Sequence, residues 1–106
     1  MNIEIIREYC LSKKEVTESL PFGNDTLVFK RSGKIFLLAN LEGDLSVNLK
    51  CDPALAIELR EKHSSVIPGY HMNKKHWNTV MLDGSIPDSE VFKWIDHSYN
   101  LVKGKK

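Results

Sequence analysis

The chain has 106 residues, 15 basic against 14 acidic side chains, a formal net charge of +1 and 42% hydrophobic residues. That is the size of a single domain, covering 1–106, with apolar mass for a modest core. No apolar run reaches membrane-spanning length, Met1 to Ile5 lacks the basic and long apolar parts of a secretory leader, and Cys10 and Cys51 are too few for a disulfide scaffold, so a cytoplasmic protein with reduced thiols is expected.

Ile3, Ile5, Ile6, Tyr9, Cys10 and Leu11 put apolar groups on one side of a first helix, with Glu4, Arg7 and Glu8 on the other. Pro21-Phe22-Gly23-Asn24-Asp25 is a turn cluster. Thr26 to Arg31 then reads as a strand, Ser32-Gly33 as a tight hairpin turn, and Lys34 to Asn40, apolar through its middle, as a central strand. A loop over Leu41 to Asp44 leads to Leu45 to Lys50, whose alternation points Ser46, Asn48 and Lys50 outward. Asp52-Pro53 opens a second helix that ends near His63. Val66-Ile67-Pro68 reads as a short edge strand, since proline cannot sit in a central ladder. His76 to Leu82 is a further strand, and a last helix starts around Ser85 to Pro87 with Val91, Ile95, Tyr99 and Val102 as its stripe.

The fold class expected from this order is α+β: an antiparallel sheet built on a strand meander, with N- and C-terminal helices and the helix after the meander packed mainly on one face. The opposite face is left free, with Ser46, Asn48, Lys50 and Asn78 as candidates to lie on it.

Residues 69–80, Gly69-Tyr70-His71-Met72-Asn73-Lys74-Lys75-His76-Trp77-Asn78-Thr79-Val80, gather two lysines, two histidines, two asparagines and two large aromatics. Such polar heads suit phosphates and base edges, and the aromatics offer stacking surfaces. Other readings stand beside this one. Lys74 and Lys75 also fit a solvated loop, Asn73 and Asn78 fit turn and strand-end capping, and Trp77, like Trp94 and Tyr99, reads as core. The near-neutral total charge means that any phosphate-binding surface must come from charge distribution.

The stretch Tyr70 to Asn78 resembles the signature of the bacterial MmcQ/YjbR family. Pro21-Phe22-Gly23-Asn24-Asp25-Thr26-Leu27-Val28-Phe29-Lys30 resembles the family's upstream motif, and Asp83-Gly84-Ser85-Ile86-Pro87 followed by Ser98-Tyr99 resembles its closing segment. The resemblance spans nearly the whole chain. It implies a frataxin-like (CyaY-like) fold and a DNA-binding role with a double-wing surface. On that reading Lys74 and Lys75 hold phosphates, Tyr70, His71, Asn73, His76 and Asn78 supply stacking or hydrogen bonds, and the hairpin carrying Lys30, Arg31 and Lys34 is a second basic element.

The partner expected is DNA, bound with low sequence specificity. The alternative is an adaptor for a protein or small ligand with no nucleic-acid role. A third reading, frataxin-like metal handling, rests on Glu4, Glu8, Glu15 and Glu18, which also read as an ordinary solvated face beside Arg7. His71 and His76 lack a tight ligand spacing, and neither thiol has a setting that would activate it, so no metal, no cofactor and no enzymatic activity are expected. The tail Lys103-Gly104-Lys105-Lys106 adds charge and reads as mobile.

Overall fold

Turn-punctuated apolar stretches fold into six strands and three helices in this computed structural model, which describes residues 1–69 and 72–102. Tyr70, His71 and the tail from Lys103 lie outside the described residues. The elements in chain order are α1 (Ile3–Leu11), β1 (Val16–Ser19), β2 (Thr26–Arg31), β3 (Lys34–Asn40), β4 (Ser46–Lys50), α2 (Pro53–Lys62), β5 (Val66–Pro68), β6 (Trp77–Met81) and α3 (Asp88–Leu101). Asn2 caps α1, its Oδ1 accepting the Ile5 N–H at 2.9 Å. Asp52 caps α2 in the same way, accepting from Leu55 at 3.2 Å, with Pro53 in the first turn.

The strands form one sheet in the order β1-β2-β3-β4-β6-β5, each neighbour antiparallel. The meander, the edge position of β5 and the three helices match the reading from sequence. Strand β1 does not appear in that reading. It holds a single apolar residue, Val16, and is recruited by pairing with β2 rather than by its own pattern. Ser32 and Gly33 both have positive φ, +49° and +84°, as a two-residue hairpin of matching twist requires.

One buried cluster joins Ile6 and Cys10 of α1, Ala56 and Leu59 of α2, and Val91 and Ile95 of α3 to Leu27, Phe29, Leu37, Val47, Leu49 and Val80 of the sheet. The helices therefore share one face. A bulge shapes that face. Phe29 pairs with Leu37 but Lys30 pairs with Ile35, so Phe36 is an extra residue and both Phe36 and Leu37 enter the core. Ile35 and Leu38 are left for the open face, which accounts for the unbroken apolar run in β3.

Beside the bulge, the ladder between β3 and β4 ends at the pair Leu37 and Leu49. One residue further, a side chain from α3 takes over. The fully buried Ser98 hydroxyl donates to the Phe36 carbonyl and accepts the Lys50 N–H at 2.9 Å. Tyr99 beside it sends its hydroxyl to the Lys14 carbonyl at 2.7 Å. Arg31 lies 3.9 Å above the Tyr99 ring and donates to the Tyr99 carbonyl at 3.0 Å. Asp96 accepts from the Tyr9 hydroxyl and pairs with Lys13, fixing α1 on α3.

The outer edge of β5 has a particular chemistry. Ser65 accepts from Met81, and Gly69 donates to Trp77, so Val66 and Pro68, offset by one residue, turn their backbone groups outward. The Val66 N–H is already bound to the His63 carbonyl at 3.1 Å, and Pro68 has no N–H.

Replacing Ser98 by alanine strands the buried Phe36 carbonyl and Lys50 N–H together. The expected loss is about 2 kcal/mol, read as a lower urea midpoint with an unchanged slope. An unaltered midpoint would show that the two groups find other partners.

Candidate nucleic-acid interface

Strand register fixes which loops share an end of the sheet. β2 ends at Arg31 opposite the start of β3 at Lys34, and Lys50, the last residue of β4, pairs with Trp77, the first of β6. The hairpin tip, the end of β4 and the loop leading into β6 therefore meet at one end. It carries Lys30, Lys34, Lys50, Lys74 and Lys75. None of these five lysines forms an ion pair among the described residues. The opposite end, where Thr26, Asn40, Ser46 and Met81 lie in one row, carries the exposed acids Asp25, Glu42, Asp44 and Asp83. A chain of near-zero net charge is thus polar along its strands. Asp52 and Glu15 are the acids among the lysines, Asp52 engaged as the α2 cap and Glu15 in a turn at φ +64°.

The loop into β6 is built by Asn73. Its side-chain Oδ1 accepts the Lys75 N–H at 2.9 Å, and its carbonyl accepts from His76 at 3.2 Å and Trp77 at 3.0 Å. These bonds leave Asn73, Lys74 and Lys75 exposed and His76 half-buried. The His76 carbonyl accepts the Cys51 N–H at 2.7 Å, tying the loop to the end of β4. Gly69 permits the close return of the chain. A Cβ there would stand 2.8 Å from the Trp77 Cβ and 3.0 Å from its carbonyl. A cleft of about 500 Å³ results, lined by Lys50, Asp52, Asn73, His76, Trp77 and Leu101 among others.

Several side chains singled out in the sequence occupy other places. Asn78 sits opposite Leu49 on the helix-covered face, is 2% exposed, and donates to the Ala56 carbonyl at 3.3 Å. It holds β6 to α2 and does not lie on the open face, as its two-residue offset from the core residue Val80 also signals. Trp77 has the opposite correction. It lies half-buried on the open side at the basic end, outside the core cluster. Arg31 is taken up by Tyr99, as described above, while Lys34 is exposed and Lys30 half-buried. Tyr70 and His71 lie outside the described residues. Lys50, which the sequence reading placed on the open face without a role in binding, is the residue that the register adds to the interface.

The other candidate chemistry is quiet. Burial pushes the Cys10 thiol up to about 12 and the Cys51 thiol up to about 11, away from nucleophilic thiolates. Glu18 is gripped by Arg7 at 2.6 Å, and hydrogen bonding to that guanidinium holds its carboxyl below the ordinary value. Among the described residues, no three His, Cys, Asp or Glu side chains are grouped to hold a metal ion, and no helix is long and apolar enough to cross a membrane. The turn Asp83-Gly84-Ser85 is a structural lock. Asp83 accepts from the Ser85 hydroxyl at 2.6 Å, the Ser85 N–H at 3.0 Å and the Ser65 hydroxyl at 2.8 Å. The Ser85 bonds lead in holding its carboxyl down at about 2.

Comparison with known proteins gives the chain its relatives. A family model described as YjbR matches residues 11–101. The Escherichia coli K12 protein described as uncharacterized protein YjbR is 38% identical over 111 residues, covering 100% of this chain and 94% of that protein. The uncharacterized protein YbdF of Escherichia coli O157:H7 is 43% identical over 83 residues, 77% of this chain and 68% of that one. Among solved structures, the Deinococcus radiodurans protein DR2400, with a DUF419 domain, has a TM-score of 0.92 at 39% identity, covering 98% of this chain and 80% of that one. A Pseudomonas syringae protein has a TM-score of 0.85 at 30% identity, over 97% of this chain and 100% of its own.

Two measurements check these assignments. Asn78→Asp places a carboxylate against the Ala56 carbonyl in the core and is expected to cost about 3 kcal/mol or more, whereas Lys74→Ala/Lys75→Ala stays within about 0.5 kcal/mol of the parent. For Asp83 the folded carboxyl lies near 2, below the roughly 3.9 of an unfolded chain. Its contribution is therefore full above about pH 4 and is lost as pH falls toward 2. The stability gap between the parent and Asp83→Asn should close over that window. A gap that is constant with pH would remove the carboxylate's bonds as its source.

Proposed function

The chain belongs to the YjbR family, and we propose that it is a nucleic-acid-binding protein that grips DNA, with low sequence specificity, through the basic end of its sheet. One observation carries this reading: Lys30, Lys34, Lys50, Lys74 and Lys75 converge at one end, free of ion pairs among the described residues, while Asp25, Glu42, Asp44 and Asp83 gather at the other. Unpaired lysines can neutralise phosphates and release their counterions, and a separated charge pattern orients the approach. The hairpin of β2 and β3 and the loop into β6 stand as two projections with Lys50 between them. On this reading the pair would serve as the double wing, and the fold would be the frataxin-like one, that the family resemblance implies. His76, half-buried at the same place, adds a hydrogen-bonding head.

The protein acts in this reading as a cytoplasmic binder without catalysis. Both thiols are held protonated by burial, and among the described residues the serine–aspartate cluster around Asp83 has no histidine in its hydrogen-bond set. An adaptor role for a protein or small ligand remains the second reading, favoured by a cavity on the open face taken up below.

Fluorescence anisotropy with a labelled DNA duplex across a salt series tests the proposal. The parent should lose affinity steeply as salt rises, and Lys74→Ala/Lys75→Ala should bind more weakly, with the log–log salt slope reduced by about 2. An absence of binding at low salt would leave the basic end without a nucleic-acid role.

A further inference from the structure

The open face of the sheet carries a concavity of about 680 Å³ that the nucleic-acid reading does not use. Ile35 and Leu38 of β3 make its apolar floor, and Phe22 and Met72 stand on either side. Phe22 is 62% exposed, a large apolar ring held in water at the rim. Thr26, Asn40, Ser46, Asn48 and Thr79 supply the polar part of the lining.

Among the described residues, two of these polar groups lack partners where partners are normally found. Ser46 is 7% exposed, yet its hydroxyl makes no hydrogen bond among the described residues, and it is not sealed from the surface. The Asn48 Oδ1 accepts from the Thr79 hydroxyl, which fixes the amide so that, among the described residues, both Nδ2 hydrogens remain unspent. A donor and a hydroxyl on neighbouring rows thus face an apolar floor. Among the described residues, the only charged one in the lining is Asp25, at the rim, which disfavours anions. The volume falls in the range of small-ligand sites, and an aromatic ring opposite a thioether suits a flat guest.

The sequence motifs converge here as well. Phe22, Asp25 and Thr26 come from the stretch beginning at Pro21, and Met72 and Thr79 come from residues 69–80. Contacts to phosphate would account for Lys74 and Lys75 and leave these five without a task.

We propose that the open-face cavity binds a small, uncharged, planar aromatic molecule bearing a carbonyl or lactam edge. The edge carbonyl accepts from Asn48 Nδ2, the edge N–H donates to Ser46 Oγ, and the rings lie on Ile35 and Leu38 between Phe22 and Met72. None of the five lysines of the basic end lines this cavity, so its binding is tested independently of DNA binding.

The probe is 2-quinolone, an uncharged bicyclic lactam, titrated into the nitrogen-15-labelled full chain and followed by amide NMR. Saturable shifts are expected at Leu38, Ser46, Asn48 with its side-chain amide, and Thr79, with a Kd of about 1 mM or tighter. Quinoline-2-carboxylate, a flat analogue carrying a negative charge, should bind at least about tenfold more weakly. Phe22→Ala, which removes an exposed ring and so spares the fold, should weaken 2-quinolone about fivefold. No saturable shift at these residues by about 5 mM, equal binding of the carboxylate, or indifference to Phe22→Ala would each overturn the proposal.

Discussion

A single hydroxyl at the junction of α3, β3 and β4 conditions much of this fold. The bulge in β3 turns two consecutive aromatic and aliphatic side chains, Phe36 and Leu37, into one core, and the cost is a gap in the ladder. Ser98 closes that gap from the helix above. Because the helix must present that residue at that point, its flanks are fixed too. One flank sets Asp96 and Tyr99 against α1 and β2, and the other sets His97 to accept the Asp52 N–H at 3.1 Å, at the start of α2. Helix α3 thus registers every other layer of the molecule through hydrogen bonds, with the apolar stripe beneath supplying the larger share of the stability.

Antiparallel connectivity then makes function a question of ends and faces. Short turns alternate between the two ends of the sheet, so charges placed in successive loops sort into two groups. Five lysines gather at one end and four exposed acids at the other, and the formal total of +1 conceals this arrangement. The two faces differ in the same economical manner. One is covered by all three helices, and the other keeps a patch of apolar floor with polar side chains around it.

Much of this was legible in the residues. The meander was readable from Ser32-Gly33, from the alternation of β4 and from the apolar run in β3, and α2 from its Asp-Pro start. Strand β1 was not, because an edge strand with only Val16 to bury has no period of its own. Asn78 and Trp77 were misplaced by residue type. Polarity suggested the surface for one and size suggested the core for the other, while strict alternation from Val80 gives the observed arrangement of both. Arg31 was unreadable for another reason: its partner Tyr99 lies 68 residues further along, and only the folded chain brings the guanidinium over that ring. The match to the YjbR family was visible in three separated motifs. The structure divides those motifs between tasks, with Ser98, Tyr99, Asp83 and Asn78 holding the fold and Lys74 and Lys75 left in solvent.

The outer edge of β5 has a consequence for how copies of this protein behave when crowded. Its outward backbone offers carbonyl groups but no free N–H, since Val66 has spent its own on His63 and Pro68 has none. A neighbouring strand needs donors and acceptors in alternation to zip on, and here it meets acceptors alone. Polymerisation by sheet extension is therefore blocked at this border without any charged gatekeeper. At this border the ladder is closed by backbone chemistry alone.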